Sequence, residues 1–537
     1  MENYDYIVVG AGSAGCVLAA RLSESGRNKV LLLEAGPDDR RFWVQVPIGY
    51  GRTFYDKRVN WMYMTEPLAS LNGRRNYWPR GKVLGGSSSI NAMVYIRGQA
   101  EDYEDWKAAG NPGWGWDEVL PLYKRMESHA WGESEWHGGS GPLAIKAPTR
   151  ELHPTCAAFV AACGEAGLPH NPDFNGARQE GAGSYHLTIK DGIRMSAARA
   201  YLGPARRRPN LRIVTGAEAE RILFEGRRAI GIAYRRGGVL TTARAGAGVI
   251  VAAGAVNSPK LLLLSGIGPA EELKALGIDP LLDSPAVGRH LLDHFDVDLI
   301  YRTSVPTLND QLYPWWGKAW AGLNYLLARR GPLALSVNQG GGFFRSRPGL
   351  DRPNVQLYFS PLSYLKAPPG TRPLMNPDPF SAFNLSISPC RPTSRGFLRL
   401  RSADPDEAPE IHPVYLDTEE DRRDVVEGLR FLRKLAQTPT LSRIIAEAIA
   451  PYPAGDDDDS LIAYARQHGT TIFHPAGTCR MGPDPATCVV DPSLRVHGID
   501  GLRVADASIF PTLTSGNTNA PSIMVGEKAS DLVLGNR

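Results

Sequence analysis

The sequence predicts an α/β protein of two domains, one discontinuous and the other an α+β unit built on an antiparallel sheet. The first observation is a strand, a glycine turn, a helix and a second strand within residues 4–36. Similar strand–turn–helix units return far along the chain, at 246–269 and 502–534. Between residues 300 and 460 the pattern changes to short β-like runs. A chain of 537 residues is long enough for several domains with sizeable cores.

The N-terminal segment predicts a dinucleotide-binding turn. The buried-strand pattern YDYIVVG runs directly into GAGSAG, and KVLLLEAG follows as a second buried strand. In this G-x-G-x-x-G one glycine permits the tight turn, one admits a pyrophosphate and one allows close helix packing. The helix N-terminus favours the anionic pyrophosphate, and an acidic residue after the second strand can accept hydrogen bonds from ribose hydroxyls. We therefore predict Rossmann-like dinucleotide binding at Gly10, Gly12, Ser13, Ala14, Gly15, Glu34 and Ala35.

A second glycine-rich element is RGKVLGGSSSIN, residues 80–91. Its small residues let the backbone approach a bulky ligand closely, whereas a plain surface loop is the alternative interpretation. Val83, Leu84 and Ile90 give the segment apolar anchors, which a flexible serine linker does not need. We therefore interpret it as a loop that wraps a ligand.

The returning units predict that the nucleotide-binding domain is assembled from separate stretches of chain. Residues 246–269 combine a buried strand, a glycine turn and a helix with four leucines, and residues 502–534 repeat this order with an irregular turn. We predict that the binding domain comprises residues 1–150, 200–300 and 465–537, and that the second domain comprises residues 151–199 and 301–464.

The interior of the chain predicts the antiparallel sheet of the second domain. The runs NVQLYFS (354–360), FNLSIS (383–388) and GFLRLRS (396–402) have the composition of strands. We expect most aromatic residues here to lie in a core and some to roof a pocket. They include Tyr313, Trp315, Trp316, Trp320, Phe343, Phe344, Tyr358 and Phe359.

Composition excludes several classes of protein. The net charge is only +4, and the best basic cluster, PARRRPN (204–210), is interpreted as a solvated turn, so no nucleic-acid partner is expected. None of the six cysteines forms a C-x-x-C pair, which disfavours structural zinc and fits a reducing compartment. The N-terminal residues are predicted to enter a strand at once, so we expect no signal peptide, and no apolar run is long enough to span a bilayer. We expect a cytoplasmic protein, with peripheral contact at the inner membrane left open.

Six motifs, in order, resemble those of the glucose–methanol–choline (GMC) flavoprotein oxidoreductases, in particular the choline and alcohol dehydrogenase branch. GKVLGGSSSIN (81–91) is similar to the first family signature and GAVNSPKLLLLSGIG (254–268) to the second. The further blocks are VGRHLLDH (287–294), RPTSRG (391–396), HPAGTCRMG (474–482) and GNTNAPS (516–522). The resemblance covers almost the full length. It implies FAD as the cofactor and oxidation of an alcohol as the reaction.

The resemblance implies catalytic roles for His474 and Asn517. In the family this histidine lies beside the reactive flavin ring, and its partner 43 residues later is His or Asn. A neutral imidazole has a suitable pKa to take the hydroxyl proton while a hydride passes to flavin N5. The amide can hydrogen-bond the alcohol oxygen. By resemblance Gly86, Ser87 and Asn91 line the flavin side. The other expected cofactor-binding residues are Gly81, Ala92, Asp506, Ala507, Asn517 and Thr518.

Metal binding is the alternative interpretation of two histidine motifs. A core position or a metal ligand would also explain His474, but no second Cys/His pair completes a metal site. In HLLDH (290–294) two histidines stand four apart, but Leu291 replaces the glutamate that the zinc protease motif needs. We assign HLLDH to the framework of the cofactor domain and expect no metal.

Two departures from the family motifs bear on how FAD is attached and on the charge of the substrate. Some members attach FAD through a histidine where this chain has Ile90, so FAD is expected to bind non-covalently. Choline-oxidising members have a glutamate where the block QGGGF begins with Gln339, which favours an uncharged primary alcohol, aryl or medium-chain aliphatic. Gln339, Phe343 and Tyr358 are the predicted substrate pocket.

The rival functions are a choline dehydrogenase, a non-redox hydroxynitrile lyase on the same scaffold, and a flavin-holding protein without turnover. The joint presence of His474 and Asn517 speaks against a protein that only binds, because such a protein needs no base and amide. The expected electron acceptor is oxygen, a quinone or another acceptor.

Overall fold

The structure, a computed structural model, describes residues 2–364 and 376–535. Two seven-stranded sheets organise these residues, and elements of both contribute to the walls of one cavity. One sheet has a parallel centre and the other is antiparallel throughout. This arrangement confirms the predicted α/β class with a second antiparallel unit.

The first sheet is built around the N-terminal strand. Its strands lie in the order Leu211–Thr215, Val30–Glu34, Glu2–Val9, Val239–Val251, Arg228–Arg236 and Ala217–Glu225, with Leu502–Val504 also paired to Val239–Val251. The strands on either side of Glu2–Val9 run parallel to it, whereas Arg228–Arg236 and Ala217–Glu225 pair antiparallel. Val30–Glu34 is buried along its whole length, as expected for a parallel strand covered on both faces.

The first and last long helices of the chain pack together and hold the two ends of the sequence in one unit. Ser13 Oγ donates to Asn519 Oδ1 (2.8 Å), and the buried carboxylate of Glu527 binds Arg21 (2.9 Å). The longer helices are Ser13–Leu22, Ala100–Ala108, Trp116–Met126, Thr155–Glu165, Gly254–Leu264, Trp315–Ala328, Glu419–Ala436, Asp458–His468 and Asn519–Leu534. The shorter ones include Phe42–Gln45, Tyr50–Thr53, Ala270–Ala275, Leu308–Leu312 and Pro439–Ser442.

The second sheet is antiparallel and contains two of the three predicted interior strands. Its strands lie in the order Ile445–Ala448, Phe295–Thr303, Ala382–Pro389, Val355–Ser360, Gly340–Phe344 and Gly181–Ser184, with Thr470–Thr471 paired to Phe295–Thr303. The predicted domain boundary at residue 300 falls inside one of these strands. The apolar side chains of the sheet pack in a second core with the helix Glu419–Ala436.

The third predicted interior strand lies elsewhere. Phe397–Arg399 pairs with Glu410–His412 in a separate ribbon, and Leu398 and Ile411 pack in the core of the first sheet. The composition of residues 396–402 indicates a strand. It does not show whether that strand joins the antiparallel sheet or forms a separate ribbon that packs on the core of the first sheet. Further short ribbons are Tyr63–Met64 with Tyr77–Trp78, Glu127–His129 with Leu143–Ile145, Ile189–Lys190 with Ile193–Arg194, and Ile267–Gly268 with Leu282–Asp283.

Two interpretations of surface segments are corrected by the structure. In PARRRPN, Arg206 is half-buried and forms ion pairs with Asp38 (2.6 Å) and Asp39, so this segment is more than a solvated turn. Trp315, Trp316 and Trp320 lie neither in a core nor on the cavity but are exposed on one helix. Among the residues described, no helix combines the length and the apolar character needed to cross a bilayer.

Candidate active site

A single cavity of about 610 Å³ brings together most of the predicted site residues. Its lining includes the first glycine turn, the second glycine-rich loop, the turn before the last helix and one face of the antiparallel sheet. His474 and Asn517 also line it. The residues that the sequence connects only through resemblance are therefore neighbours in space.

The three glycines of the first turn have different surroundings. Gly10 has a φ of +97°, where an L side chain is strained, and a Cβ on Gly15 would overlap the carbonyl oxygen of Gly10. A Cβ on Gly12 would meet nothing closer than the carbonyl oxygen of Ala252 at 3.8 Å. Gly10 and Gly15 thus serve the turn and the packing, and Gly12 leaves open space where the turn lines the cavity.

Glu34 lies at the end of the second strand with its carboxylate on the cavity. One carboxylate oxygen accepts from the amide of Ala11 (3.0 Å) and the other from the amide of Gly36 (2.8 Å). Burial raises the pKa of Glu34 to about 7, against the opposing effect of these two hydrogen bonds. Each oxygen retains a second acceptor site, so the carboxylate can still receive a hydroxyl.

The second glycine-rich loop packs directly on the first. Gly85 donates its amide to the carbonyl of Ala11 (2.7 Å), and a Cβ on Gly86 would lie 2.7 Å from the Cα of Gly12. Gly81, Gly86, Ser87, Asn91 and Ala92 all line the cavity. The loop therefore forms a continuous wall with the dinucleotide turn.

Arg194, which sequence reasoning missed, holds this loop from behind. Its buried guanidinium donates to the side chain of Asn91 (2.8 Å) and to the carbonyls of Val44 (3.1 Å), Ser88 and Pro47. Burial lowers the pKa of Arg194 to about 9. Arg194 thus ties the loop, at Ser88 and Asn91, to the separate segment that contains Val44 and Pro47.

Asp506 joins two of the strand–turn–helix units at the cavity. Its carboxylate accepts from the amide of Gly254 (2.8 Å), from Ser258 Oγ (2.5 Å) and from the amide of Ser508 (2.8 Å). It therefore caps the start of the helix Gly254–Leu264. Ala507 and Thr518 line the cavity beside it.

His474 and Asn517 form a hydrogen-bonded pair at the other part of the cavity. Asn517 Nδ2 lies 3.2 Å from His474 Nε2, and Asn517 Oδ1 accepts from Gln356 Nε2 (3.2 Å). Gln356 also donates to the hydroxyl of Tyr185 (3.0 Å), so both of its amide hydrogens are used. The amide of Asn517 is therefore oriented with Nδ2 toward the imidazole.

His294 fixes the tautomer of His474. His294 Nε2 lies 2.9 Å from the carbonyl oxygen of Cys390, which can only accept, so this nitrogen carries the hydrogen. Burial lowers the pKa of His294 to about 4, so its Nδ1 is an unprotonated acceptor at neutral pH. Because that atom lies 2.9 Å from His474 Nδ1, His474 must donate from Nδ1 and keep its lone pair on Nε2.

Asp293, the residue before His294, holds the backbone of His474. Its carboxylate accepts from the amide of His474 (2.8 Å) and from the hydroxyl of Tyr415 (2.6 Å). Burial raises the pKa of Asp293 to about 6. HLLDH is therefore not only framework: its last two residues contact His474 directly, a role that sequence reasoning missed.

The electrostatic environment keeps His474 neutral. Burial, the neighbouring His294 and the cation of Arg80 together lower the pKa of His474 well below its usual value. Arg80 is itself buried, which lowers its pKa to about 10, and it donates to the carbonyl of Phe473 (2.5 Å). The imidazole is thus available as a base without first losing a proton.

The antiparallel sheet supplies a polar wall beside this pair. Alternate residues on three strands line the cavity, while their neighbours point into the second core. The six wall residues are Asp296, Asp298, Tyr358, Ser360, Asn384 and Ser386. A period of two in the strand sequences was the signal that could have identified them.

Two of the three predicted substrate-pocket residues lie away from the cavity. Tyr358 is part of its wall, but Gln339 and Phe343 are not. The side-chain oxygen of Gln339 accepts from the amide of His153 (2.8 Å), and Phe343 packs edge-on to Phe174 at 5.5 Å between ring centroids. The neutral charge of Gln339 therefore carries no information about the charge of the substrate.

Comparison with known proteins identifies the family. GMC oxidoreductase family models match residues 4–296 and 392–526. The chain belongs to the GMC oxidoreductase family. It is 44% identical to an alcohol dehydrogenase [acceptor] of Pseudomonas putida (99% of this chain, 96% of the relative) and 41% identical to an oxygen-dependent choline dehydrogenase of Vibrio vulnificus (99% and 94%). The crystal structure of pyridoxine 4-oxidase from Mesorbium loti superposes with a TM-score of 0.87 at 32% identity, covering 98% of both chains.

The cofactor of GMC oxidoreductases is FAD, and the residues of this cavity fit it. The open space at Gly12 has room for a pyrophosphate at the start of a helix, and the Glu34 carboxylate would accept ribose hydroxyls. The cavity continues from this turn past the second glycine loop to His474, as an extended dinucleotide requires. Within residues 2–364 and 376–535 no cluster of three His, Cys, Asp or Glu side chains could hold a metal ion.

Proposed function

We propose that this GMC oxidoreductase oxidises a primary alcohol to an aldehyde. The observation that carries the proposal is the His474–Asn517 pair, in which a neutral imidazole and an amide donor face the same cavity as the dinucleotide turn. The Pseudomonas putida relative, an alcohol dehydrogenase [acceptor], supports the same class of reaction.

The chain's own residues handle the hydroxyl group. The alcohol hydroxyl replaces Asn517 Nδ2 as the donor to His474 Nε2, which takes the proton as the carbonyl forms. Asn517 Nδ2 donates to the alcohol oxygen and orients the carbon that is oxidised. FAD, when bound, supplies the acceptor for the hydride that leaves this carbon. Because burial disfavours the imidazolium, His474 passes the proton on to water after turnover.

FAD is held without a covalent bond in this proposal. Ile90 lines the cavity and offers no nucleophilic atom where some family members have a histidine. The holding residues are those of the turn, the carboxylate of Glu34, the second glycine loop and the turn at Asp506. Acid precipitation should release all of the flavin into the supernatant, and flavin that stays with the precipitate would refute this part.

The first substrate class is an uncharged aryl or medium-chain aliphatic alcohol. The rings of Tyr50, Phe54 and Tyr358 line the cavity and can contact an alkyl or aryl group. The carboxylates of Asp296 and Asp298 on the same wall favour a second candidate, a cationic alcohol such as choline. The choline dehydrogenase of Vibrio vulnificus supports this second class.

The deciding experiment is anaerobic titration of the holoenzyme with aryl alcohols, aliphatic alcohols and choline. Bleaching of the oxidised flavin by an alcohol supports the proposal and ranks the two substrate classes. His474→Ala and Asn517→Ala should retain FAD and bleach slowly. A yellow protein that no alcohol bleaches would refute alcohol oxidation and favour a lyase or a protein without turnover.

The proposal also covers the electron acceptor of the reduced flavin and the cellular location of the protein. Oxygen and quinones are the acceptor classes, and the speed of flavin recovery after air is admitted to the reduced enzyme distinguishes an oxidase from a dehydrogenase. We place the protein in the cytoplasm, because its six cysteines are buried free thiols, as a reducing compartment would keep them. Fractionation of cells tests this location.

A further inference from the structure

The helix Trp315–Ala328 carries an unusual exposed apolar stripe. Trp316, Trp320, Leu323 and Leu327 follow one another at intervals of four, three and four residues, so they lie on one face. These side chains, with Trp315 and Leu326 beside them, are between 47% and 80% exposed. Large apolar residues scattered singly need no explanation, but six on one helix form a patch.

The stripe is not a badly packed core face. The same helix buries Gly317, Ala321 and Tyr325, which are spaced four residues apart on its opposite side. That underside packs on the protein through Tyr325 and Ala321, which belong to a hydrophobic cluster with Leu312. The helix is therefore anchored by one face and presents a second apolar face outward.

The chain segment that carries the stripe has charges of one sign. No Asp or Glu occurs between residues 311 and 350, whereas Lys318 is exposed on the flank of the helix, and Arg329 and Arg330 are exposed directly after it. In the part of the chain that the structure describes, none of these three cations forms an ion pair with a carboxylate. The guanidinium of Arg329 lies 4.8 Å from the ring centre of Tyr325.

We propose that this stripe docks on the surface of an anionic lipid bilayer. Tryptophan rings suit the boundary between headgroups and acyl chains, and lysine and arginine are attracted to anionic headgroups. A helix with this distribution lies in the plane of the interface rather than across it. A second copy of the chain fits less well, because a two-fold contact would bring a second set of the same cations to one interface, with no carboxylate from residues 311–350 to offset them.

The docked helix would place the substrate part of the cavity near the bilayer. Tyr325 and Leu312 share their hydrophobic cluster with Tyr50 and Val337, and these two residues line the cavity. Apolar alcohols and quinones concentrate in the acyl region of a membrane. The geometry therefore links the docking surface to delivery of apolar reactants, although vesicle binding can be tested independently of the alcohol reaction.

The test is co-sedimentation of the full-length holoenzyme with vesicles of phosphatidylcholine alone or mixed with phosphatidylglycerol. We expect binding to the anionic vesicles, a blue shift of tryptophan emission and weaker binding at high salt. Trp316→Ser/Trp320→Ser/Leu327→Ser should weaken binding at least about tenfold. Val239→Ser/Leu240→Ser, at an exposed hairpin tip elsewhere, is the matched control and should bind normally.

Flavin content and alcohol bleaching without vesicles show that each variant is folded. The proposal is overturned if the unsubstituted protein stays in the supernatant with both vesicle types, or if the triple variant sediments normally. It is also overturned if the unsubstituted protein is a dimer that the triple substitution dissociates while neither sediments. Lys318→Glu/Arg330→Glu should abolish the preference for anionic vesicles, and an unchanged preference would contradict the electrostatic part.

Discussion

The contact between His294 and His474 yields the sharpest prediction about the reaction. In His294→Leu the acceptor for the Nδ1 hydrogen of His474 is removed, while a side chain of similar volume fills the space. The hydrogen can then move to Nε2, which is the atom that must accept the hydroxyl proton. We therefore expect slower alcohol oxidation with normal FAD content, because His294 contacts the base from the side away from Asn517.

The size of the effect follows from the burial of the contact. Both imidazoles are buried, and the two Nδ1 atoms lie 2.9 Å apart. Leaving a buried donor without a partner costs about 1–3 kcal/mol. If this cost falls on the base-competent tautomer, it corresponds to about a 5- to 150-fold loss in the rate of flavin reduction.

The assay is stopped-flow reduction of the flavin under anaerobic conditions, measured from low to neutral pH. His294→Gln is the conservative control, because an amide can accept from His474 and donate to the carbonyl of Cys390. It should recover most of the rate that His294→Leu loses. In the unsubstituted enzyme the rate should already be constant at pH 6.5 and fall only at lower pH, since the pKa of His474 is lowered.

A merely structural role for His294 would give a different result. Both variants would then lose flavin content or thermal stability together, with no recovery of rate by the glutamine. Reduction of the His294→Leu flavin at the rate of the unsubstituted enzyme would refute the tautomer argument outright. An acid limb near pH 6.5 would contradict the inferred direction of the pKa of His474.

Substitutions at four other residues distinguish effects on folding, on FAD binding and on the orientation of Asn517. Gly12→Ala should fold but lose affinity for FAD, because its Cβ has room and enters the cavity. Gly15→Ala should fail to fold, because its Cβ would overlap the carbonyl oxygen of Gly10. Thermal unfolding and flavin content distinguish the two outcomes. Glu34→Gln should weaken FAD binding about tenfold. The pKa of Glu34 is raised to about 7, so its carboxylate forms as the pH rises through 7. The affinity of the unsubstituted apoprotein for FAD, measured by fluorescence titration, should therefore increase over this pH range. The Glu34→Gln variant should show no such increase. Gln356→Leu should slow flavin reduction about tenfold without loss of flavin, since Asn517 loses the donor that orients it, and an unchanged rate would contradict this role.

The dinucleotide turn could be predicted from sequence because its parts are local. Two strands, a helix and the glycines between them lie within residues 4–36, and each local preference agrees with the others. The contacts of His474 with His294 and of Asn517 with Gln356 join residues 180 and 161 positions apart. No period or motif within one segment records such a pairing.

Other site residues were missed or misplaced by the sequence analysis for reasons that the strand patterns explain. The polar wall residues alternate with apolar ones in the strands that carry them, so period-two analysis could have found them. Phe343 lies in Gly340–Phe344, which is buried on both faces, so alternation there does not show which side chain meets the cavity. The exposed tryptophans of Trp315–Ala328 show that aromatic content alone does not indicate burial inside the protein.

Different parts of the fold form the cofactor region and the substrate wall of the cavity. The residues proposed to hold FAD come from turns and loops around the first sheet, whereas the wall comes from alternate positions on three strands of the antiparallel sheet. The supports of His474 also adjoin this second sheet, because His294 directly precedes Phe295–Thr303 and Cys390 directly follows Ala382–Pro389. A side chain at such a position can change without moving its neighbours, since its backbone hydrogen bonds belong to the ladder. Substitutions at Ser360, Asn384 or Ser386 should therefore change which alcohol bleaches the flavin while FAD content stays constant. If they instead release FAD, the wall and the residues that hold FAD are mechanically coupled, and substrate choice cannot be adjusted independently of the cofactor.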